Sequence, residues 1–201
     1  RISDVIIKMN FIINENKKTR ELIMNQFNKL ENKFDQLSKK IYINNINNQQ
    51  ELKGDNWRYV GQVVNGVEEG KGIEYYNIGD RYEGDFKNGI KEGKGVMYYH
   101  NGDIYEGDYR NDNKEGKGIY YYLNGDRYEG DFRNGKAEGK GVYYYHNGNR
   151  YEGDWRNDKK EGKGIMYYHN GDREMGDYYN GNPIGKHVKL TRNGEVEINN
   201  Y

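Results

Sequence analysis

The sequence predicts a mainly β protein: an elongated, single-layer, twisted antiparallel sheet of six 23-residue hairpins, preceded by a long amphipathic or coiled-coil α-helix. Three observations lead there. From Asp55 onward a motif returns every 23 residues. Inside each copy apolar and polar residues alternate with the period of two that a half-buried strand requires. The first 45 residues instead carry apolar side chains at alternating steps of four and three, the spacing of one helix face.

Composition fits this class. Only 33% of the 201 residues are hydrophobic, while 28 are Gly, 22 are Tyr and one is Pro. That is too little aliphatic material for an ordinary two-layer domain, yet the 14% aromatic content separates the chain from disordered sequences. Gly and Tyr together imply strands and tight turns packed through aromatic columns. With no Cys there is no disulfide framework and no thiolate metal site, and a reducing compartment fits. No apolar run approaches the roughly 18–20 residues that span a bilayer, and no signal peptide is visible. The chain opens on Arg1 and reads as a piece of something longer.

Charge divides the chain. Residues 1–50 hold nine basic and five acidic side chains, and residues 51–201 hold 23 and 27. A surface that grips nucleic acid or anionic lipid carries a basic excess, so the larger region has the wrong sign for phosphate-dominated binding.

The helical stripe runs Ile2, Ile6, Met9, Ile13, Asn16, Arg20, Ile23, Phe27, Leu30, Phe34, Leu37 and Ile41, interrupted only at Asn16 and Arg20. Its seam is expected at Ile23, Phe27, Leu30, Phe34, Leu37 and Ile41, pairing with another helix or packing on its own domain. Three segments follow: a helix over 1–45, a polar linker over 46–56, and the repeat array over 57–197, whose sixth unit is a degenerate cap.

The repeats are in strict phase. Tyr59, Tyr82, Tyr105, Tyr128 and Tyr151 are followed two residues later by Gly, and a second series, Gly93/Gly95 and its equivalents, keeps the same step. Each unit is too small to fold alone, so the units must stack. Asn101-Gly102 and its equivalents suit a two-residue hairpin turn. That loop would place Tyr98 opposite Tyr105 and Val96 opposite Gly107, gathering rings and β-branched residues onto one face. The rings on this face are the expected partner-binding residues: Tyr75, Tyr82, Phe86, Tyr98, Tyr105, Tyr109, Tyr121, Tyr128, Phe132, Tyr144, Tyr151, Trp155 and Tyr167. A one-layer sheet exposes large aromatic patches that a partner helix or extended peptide would cover. The alternative is that twist and ring-on-ring stacking hide most of them.

Catalytic and metal chemistry find little support. The Glu-Gly-Lys-Gly steps lack phosphate-loop spacing and recur from unit to unit, which marks them as turn formers. His100, His146 and His169 fall in one column about 9.6 Å apart per unit, too far to share a zinc ion. Asn111-Asp112-Asn113 starts like a calcium loop but has Tyr122 at the twelfth position. No Cys is present, and Ser3, Ser38, Thr19 and Thr191 lie in no catalytic motif. The expectation is a protein without enzymatic activity, cofactor or metal.

Tyr-Glu-Gly-Asp-Trp at 151–155, followed by Glu-Gly-Lys-Gly at 161–164, closely resembles the MORN (membrane occupation and recognition nexus) repeat. The likeness covers residues 57 to about 196 in six phased copies. It implies an elongated twisted sheet with one hairpin per repeat and an aromatic groove. It further implies a structural scaffold for protein–protein interaction in a ciliary, axonemal or cytoskeletal assembly, in the cytoplasm, holding a partner's helix or peptide. The family's name points to a second reading, a tether for anionic phospholipid, which the array's charge disfavours. A targeting arm of a larger regulatory enzyme is a third. Nucleic acid is not expected as a partner.

Overall fold

The computed structural model describes residues 49–201 and five exposed helical positions, Gln26, Lys29, Leu30, Lys33 and Gln36. The chain divides into two units, Arg1–Asn48 and Gln49–Tyr201. Leu30 is 66% exposed. The rest of the helix expected over 1–45, with the seam residues Ile23, Phe27, Phe34, Leu37 and Ile41, lies outside the described residues.

Among the described residues the second unit is one open antiparallel sheet of fourteen strands, paired in strict chain order. The strands are β1 (Gln49–Lys53), β2 (Trp57–Val64), β3 (Val67–Tyr76), β4 (Arg81–Lys87), β5 (Ile90–Tyr98), β6 (Ile104–Arg110) and β7 (Asn113–Tyr121). They continue as β8 (Arg127–Arg133), β9 (Lys136–Tyr144), β10 (Arg150–Arg156), β11 (Lys159–Tyr167), β12 (Arg173–Tyr179), β13 (Asn182–Leu190) and β14 (Val196–Asn200). Strand β1 falls inside the stretch expected to be a linker over 46–56. A strand at the sheet's edge needs few apolar residues, and Leu52 alone packs on the core, opposite Tyr59. The sheet also runs past residue 197, because β14 pairs with β13.

Two turn types alternate along the sheet, and they settle the register. Asn88-Gly89 joins β4 to β5 with both residues left-handed, φ 50° and 79°, and Lys87 pairs directly with Ile90. This is the two-residue hairpin turn whose twist matches the strands. Asn101-Gly102, expected to be that turn, is not. Only Gly102 is left-handed, at φ 90°. Its N–H bonds to the Tyr99 carbonyl at 2.9 Å, and the Tyr99 N–H bonds to the Asp103 carbonyl at 3.0 Å, which closes a three-residue loop. The extra residue slides β6 by one place. Tyr98 therefore pairs with Ile104, Val96 with Glu106, and Met97 with Tyr105. The expected pairings of Tyr98 with Tyr105 and Val96 with Gly107 are wrong, and a one-residue slip sends alternate side chains to opposite faces.

One face is aromatic and closed. Tyr59, Tyr82, Tyr105, Tyr128 and Tyr151 are at most 1% exposed. Each ring lies across two glycines facing each other on neighbouring strands. For Tyr105 these are Gly107 and Gly118, and a Cβ added at Gly118 would sit 2.5 Å from the Tyr105 hydroxyl. The hydroxyl donates to the Asp108 carbonyl at 3.0 Å, so its buried oxygen is satisfied. Tyr105 meets Tyr109 of its own strand edge-on at 5.4 Å and Phe132 of the next repeat at 4.9 Å. The same contact links Tyr59 to Phe86, Tyr82 to Tyr109, Tyr128 to Trp155 and Tyr151 to Tyr178. Edge-to-face pairs add about 0.5–1.5 kcal/mol each beyond area burial. Lys114 lays its stem over the rings with Nζ 4.7 Å from the Tyr120 centroid, and burial pushes its ammonium pKa down.

The turns are laced along both margins of the sheet. On one, Asp80 accepts the His100 N–H at 2.8 Å, Asp103 that of Leu123 at 2.9 Å, and Asp126 that of His146 at 2.8 Å. Asp126 is buried, and desolvation alone would raise its pKa. Hydrogen bonds from the His146 backbone and ring, Tyr143 and Asn124 outweigh that and hold it at about 2. On the other margin, Glu92 accepts the Asn111 N–H at 3.1 Å and Glu115 that of Asn134 at 3.1 Å. The Glu-Gly-Lys-Gly step thus has a local reason at each place. Glu caps the next turn, Gly93 takes φ 98° in a bulge, Lys94 pairs with Asp108 at 2.5 Å, and Gly95 floors a ring.

The sixth unit is a substitution in kind rather than a decay. Tyr gives way to Glu174 and the second Gly to His187, and the two changes compensate each other. The His187 ring, fully buried, lies over Gly176 from the opposite strand, and its Nε2 bonds to the Asp177 carbonyl at 2.9 Å. That is the place and the bond a tyrosine has elsewhere. Glu174, 3% exposed, accepts from Tyr168, Asn199 and Tyr201 at 2.7–3.0 Å. At 3.7 Å its contact with His187 Nδ1 is an electrostatic one, too long for a hydrogen bond.

Two outcomes follow from this packing. Gly118→Ala pushes a methyl group into the Tyr105 ring and is expected to cost about 1–3 kcal/mol. Hydrogen exchange should show the loss centred on β6–β8, with the end strands little changed. Burial and nearby carboxylates push the Tyr59 phenol up to about 12, and burial with Glu174 pushes Tyr178 there as well. A raised pKa contributes stability that is intact below the ordinary phenol value near 10 and lost as pH climbs through 12. Absorbance titration at 295 nm should therefore show these tyrosines ionising together with loss of the sheet signal, not before it.

Candidate partner-binding groove

The register leaves the second face open. A groove of about 1640 Å³ runs along it across all six repeats. Its floor is backbone, because the paired glycines Gly84/Gly95, Gly107/Gly118, Gly130/Gly141 and Gly153/Gly164 turn their missing side chains toward the rings beneath. Glycine at these places serves both faces: a ring can lie flat on one and a trough opens on the other.

One wall is a ladder of ion pairs between neighbouring hairpins. Lys71 reaches Asp85 at 2.6 Å, Lys117 reaches Asp131 at 2.6 Å, Lys140 reaches Asp154 at 2.5 Å and Lys163 reaches Asp177 at 3.0 Å. The lysines are 71–84% exposed, so water screens them and they contribute little to stability. Asp85, Asp108, Asp131 and Asp154 each also accept a backbone N–H within their own hairpin, such as Lys117 to Asp108 at 3.2 Å. The wall is thus regular and close to neutral in charge. The other wall carries a β-branched row, Val96, Ile119, Val142 and Ile165, alternating with Glu83, Glu106, Glu129 and Glu152. Beyond it stands a row of tyrosines capped by arginine. Arg58 lies over Tyr75, Arg81 over Tyr98, Arg127 over Tyr144 and Arg150 over Tyr167, each guanidinium 4.2–4.3 Å from the ring centroid.

The residues expected to bind a partner divide between the two faces. Tyr82, Phe86, Tyr105, Tyr109, Tyr128, Phe132, Tyr151 and Trp155 lie on the closed face, at most 7% exposed and packed on one another. Their rings already have partners within the array, so little of them is left for another polypeptide to cover. Stacking between repeats does that work. Tyr75, Tyr98, Tyr121, Tyr144 and Tyr167 stand on the groove face, with Tyr144 in the groove wall itself. Among the described residues no single groove gathers all thirteen. The residues that line the trough, the glycines, the Lys–Asp ladder and the β-branched row, were visible in sequence as columns, but only the three-residue loop puts them together. The histidine column bonds to the preceding turn: His100 Nδ1 lies 2.7 Å from Asp80, and His146 Nδ1 2.8 Å from Asp126.

Several solved structures are similar to the chain at low identity. The TCP domain of SAS-4 (dCPAP) from Drosophila melanogaster, solved with a proline-rich motif of Ana2 (dSTIL), is 16% identical with a TM-score of 0.42, covering 76% of this chain and 90% of that one. The wild-type TCP10 domain of CPAP from Danio rerio is 10% identical with a TM-score of 0.45, covering 72% and 66%. The TCP10c domain of Drosophila melanogaster Sas-4 is 17% identical with a TM-score of 0.39, covering 76% and 99%. No curated protein matches the chain. The family comparison is decisive where these are not: residues 59–81, 82–104, 105–127, 128–150 and 151–173 each match the MORN repeat, more than half of the sequence, and the chain belongs to the MORN-repeat family.

Proposed function

We propose that the array is a non-catalytic scaffold that holds a partner polypeptide in the groove on its glycine-floored face. The observation that carries this reading is the trough itself: about 1640 Å³, continuous through six repeats, with a β-branched shelf along one side. The Lys–Asp wall is satisfied by pairs within the array, so the groove offers its β-branched row beside a neutralised rail. That is the chemistry of a helix or extended segment docking lengthwise, not of a small-molecule pocket. One hairpin per repeat gives a step of about 9.6 Å, close to the roughly 10.5 Å rise of a seven-residue helical repeat. A cytoskeletal or ciliary assembly is the setting we favour, with the partner a structural protein.

A lipid tether is the competing reading. Residues 51–201 carry four more acidic than basic groups, and five of the groove's lysines face aspartates of the next hairpin. Both features weigh against a headgroup-binding surface.

A photo-cross-linking amino acid at Val142 in the groove, compared with one at Leu123 on an exposed turn, tests this in the native cells. Cross-links to one polypeptide from Val142, lost in an Ile119→Asp variant and absent from Leu123, are the expected result. Equal labelling from both positions removes the groove as the binding surface. Salt-sensitive sedimentation with phosphatidylinositol bisphosphate vesicles favours the tether instead.

A further inference from the structure

The arginine-capped tyrosine row is broken once. In four repeats a guanidinium lies over the tyrosine directly across the strand pair. In three of them the same arginine also reaches a glutamate two residues on: Arg81 to Glu83 at 2.9 Å, Arg127 to Glu129 at 3.6 Å and Arg150 to Glu152 at 3.5 Å. In the third repeat the column holds Ile104, paired with Tyr121. Isoleucine covers part of a ring but carries no charge. Tyr121 is accordingly 37% exposed, while its four counterparts are more deeply buried. Among the described residues Glu106, which lines the groove, has no ion pair, whereas Glu83, Glu129 and Glu152 each have one.

A ring face and a carboxylate, set as they are elsewhere to receive a guanidinium, are therefore left without it at one place near the middle of the groove. We infer that this vacancy is a specificity site that takes an arginine side chain supplied by the docked polypeptide, its guanidinium over Tyr121 and against the Glu106 carboxylate. The array supplies its own precedent for the geometry, with a 4.2–4.3 Å ring contact beside a glutamate. Arginine suits it better than lysine, because the planar guanidinium stacks on a ring and pairs with a carboxylate at once. The site also fixes register. A groove of near-identical steps lets a bound segment slide by one repeat, and a single unlike step pins it. This rests on the groove being the docking surface proposed above.

The test uses the full chain and two probes, acetyl-Val-Arg-Val-amide and its citrulline counterpart, followed by the NMR signals of the tyrosine rings. Tyr121 should shift more than Tyr98 and Tyr144. The citrulline peptide should bind about fivefold more weakly, the loss expected for one exposed ring contact and one surface ion pair. Ile104→Arg should fill the site from within and abolish the preference for Tyr121, and Glu106→Gln should weaken the arginine peptide to the level of the citrulline one. Equal shifts at Tyr98, Tyr121 and Tyr144, no shift at Tyr121, or unchanged binding by both variants with the sheet intact overturns the inference. The peptides need only the site and not the native partner. Failure of the groove reading therefore shows separately, as absent Val142 cross-links beside an intact Tyr121 shift.

Discussion

The structure depends on one arrangement: a tyrosine ring laid flat on a pair of cross-strand glycines, with its hydroxyl returned to a carbonyl three residues on. A one-layer sheet has no second layer to bury its side chains against. Here the rings become that layer. Each takes the volume that two side chains would occupy in an ordinary sheet, and each leans edge-on against a ring of the next repeat. Tyr105 shows all of it at once, resting on Gly107 and Gly118, bonded to Asp108, and meeting Tyr109 and Phe132. The His187–Gly176 pair in the last unit follows the same rule with the strands exchanged, so the requirement is for a flat ring over glycine and not for tyrosine as such.

That requirement creates the groove. Glycines chosen so that rings can settle on one side leave bare backbone on the other, and the flanking Lys, Asp, Glu and β-branched columns rise around it. The trough is thus the reverse side of the core. The two cannot vary independently, because a side chain added at Gly118 to alter the trough would strike Tyr105 first.

Much of this was legible in the residues. The 23-residue phase, the strand alternation and the pairing of rings with glycines all read directly from the columns. The assignment of faces did not, for a local reason. Two Asn-containing turns occur per repeat, Asn88-Gly89 and Asn101-Gly102, and the dipeptide is identical. In the first both residues are left-handed; in the second Asn101 is not, and its side chain instead accepts the Asp103 N–H at 3.0 Å. The signal lay in Asp103, Asp126 and Asp172, acidic residues just past the glycine that close the longer loop and hold the next one. Read as a generic turn, Asn101-Gly102 shifts one strand by one place and moves Tyr98, Tyr121 and Tyr144 to the wrong side. The edge strand Gln49–Lys53 leaves no mark in the sequence because pairing at a margin asks little of composition.

Consider finally the lacing of the turns, in which Glu92 caps Asn111 and Asp103 holds Leu123, always one module ahead. Every such bond spans a fixed sequence interval, so the ribbon tolerates gain or loss only in whole modules of 23 residues. A slip of a complete module during gene duplication rejoins donors to acceptors and rings to glycines without a seam. Any other length change strands them. Array length is therefore an evolutionary variable that can change in discrete steps, lengthening or shortening the trough while leaving its cross-section untouched.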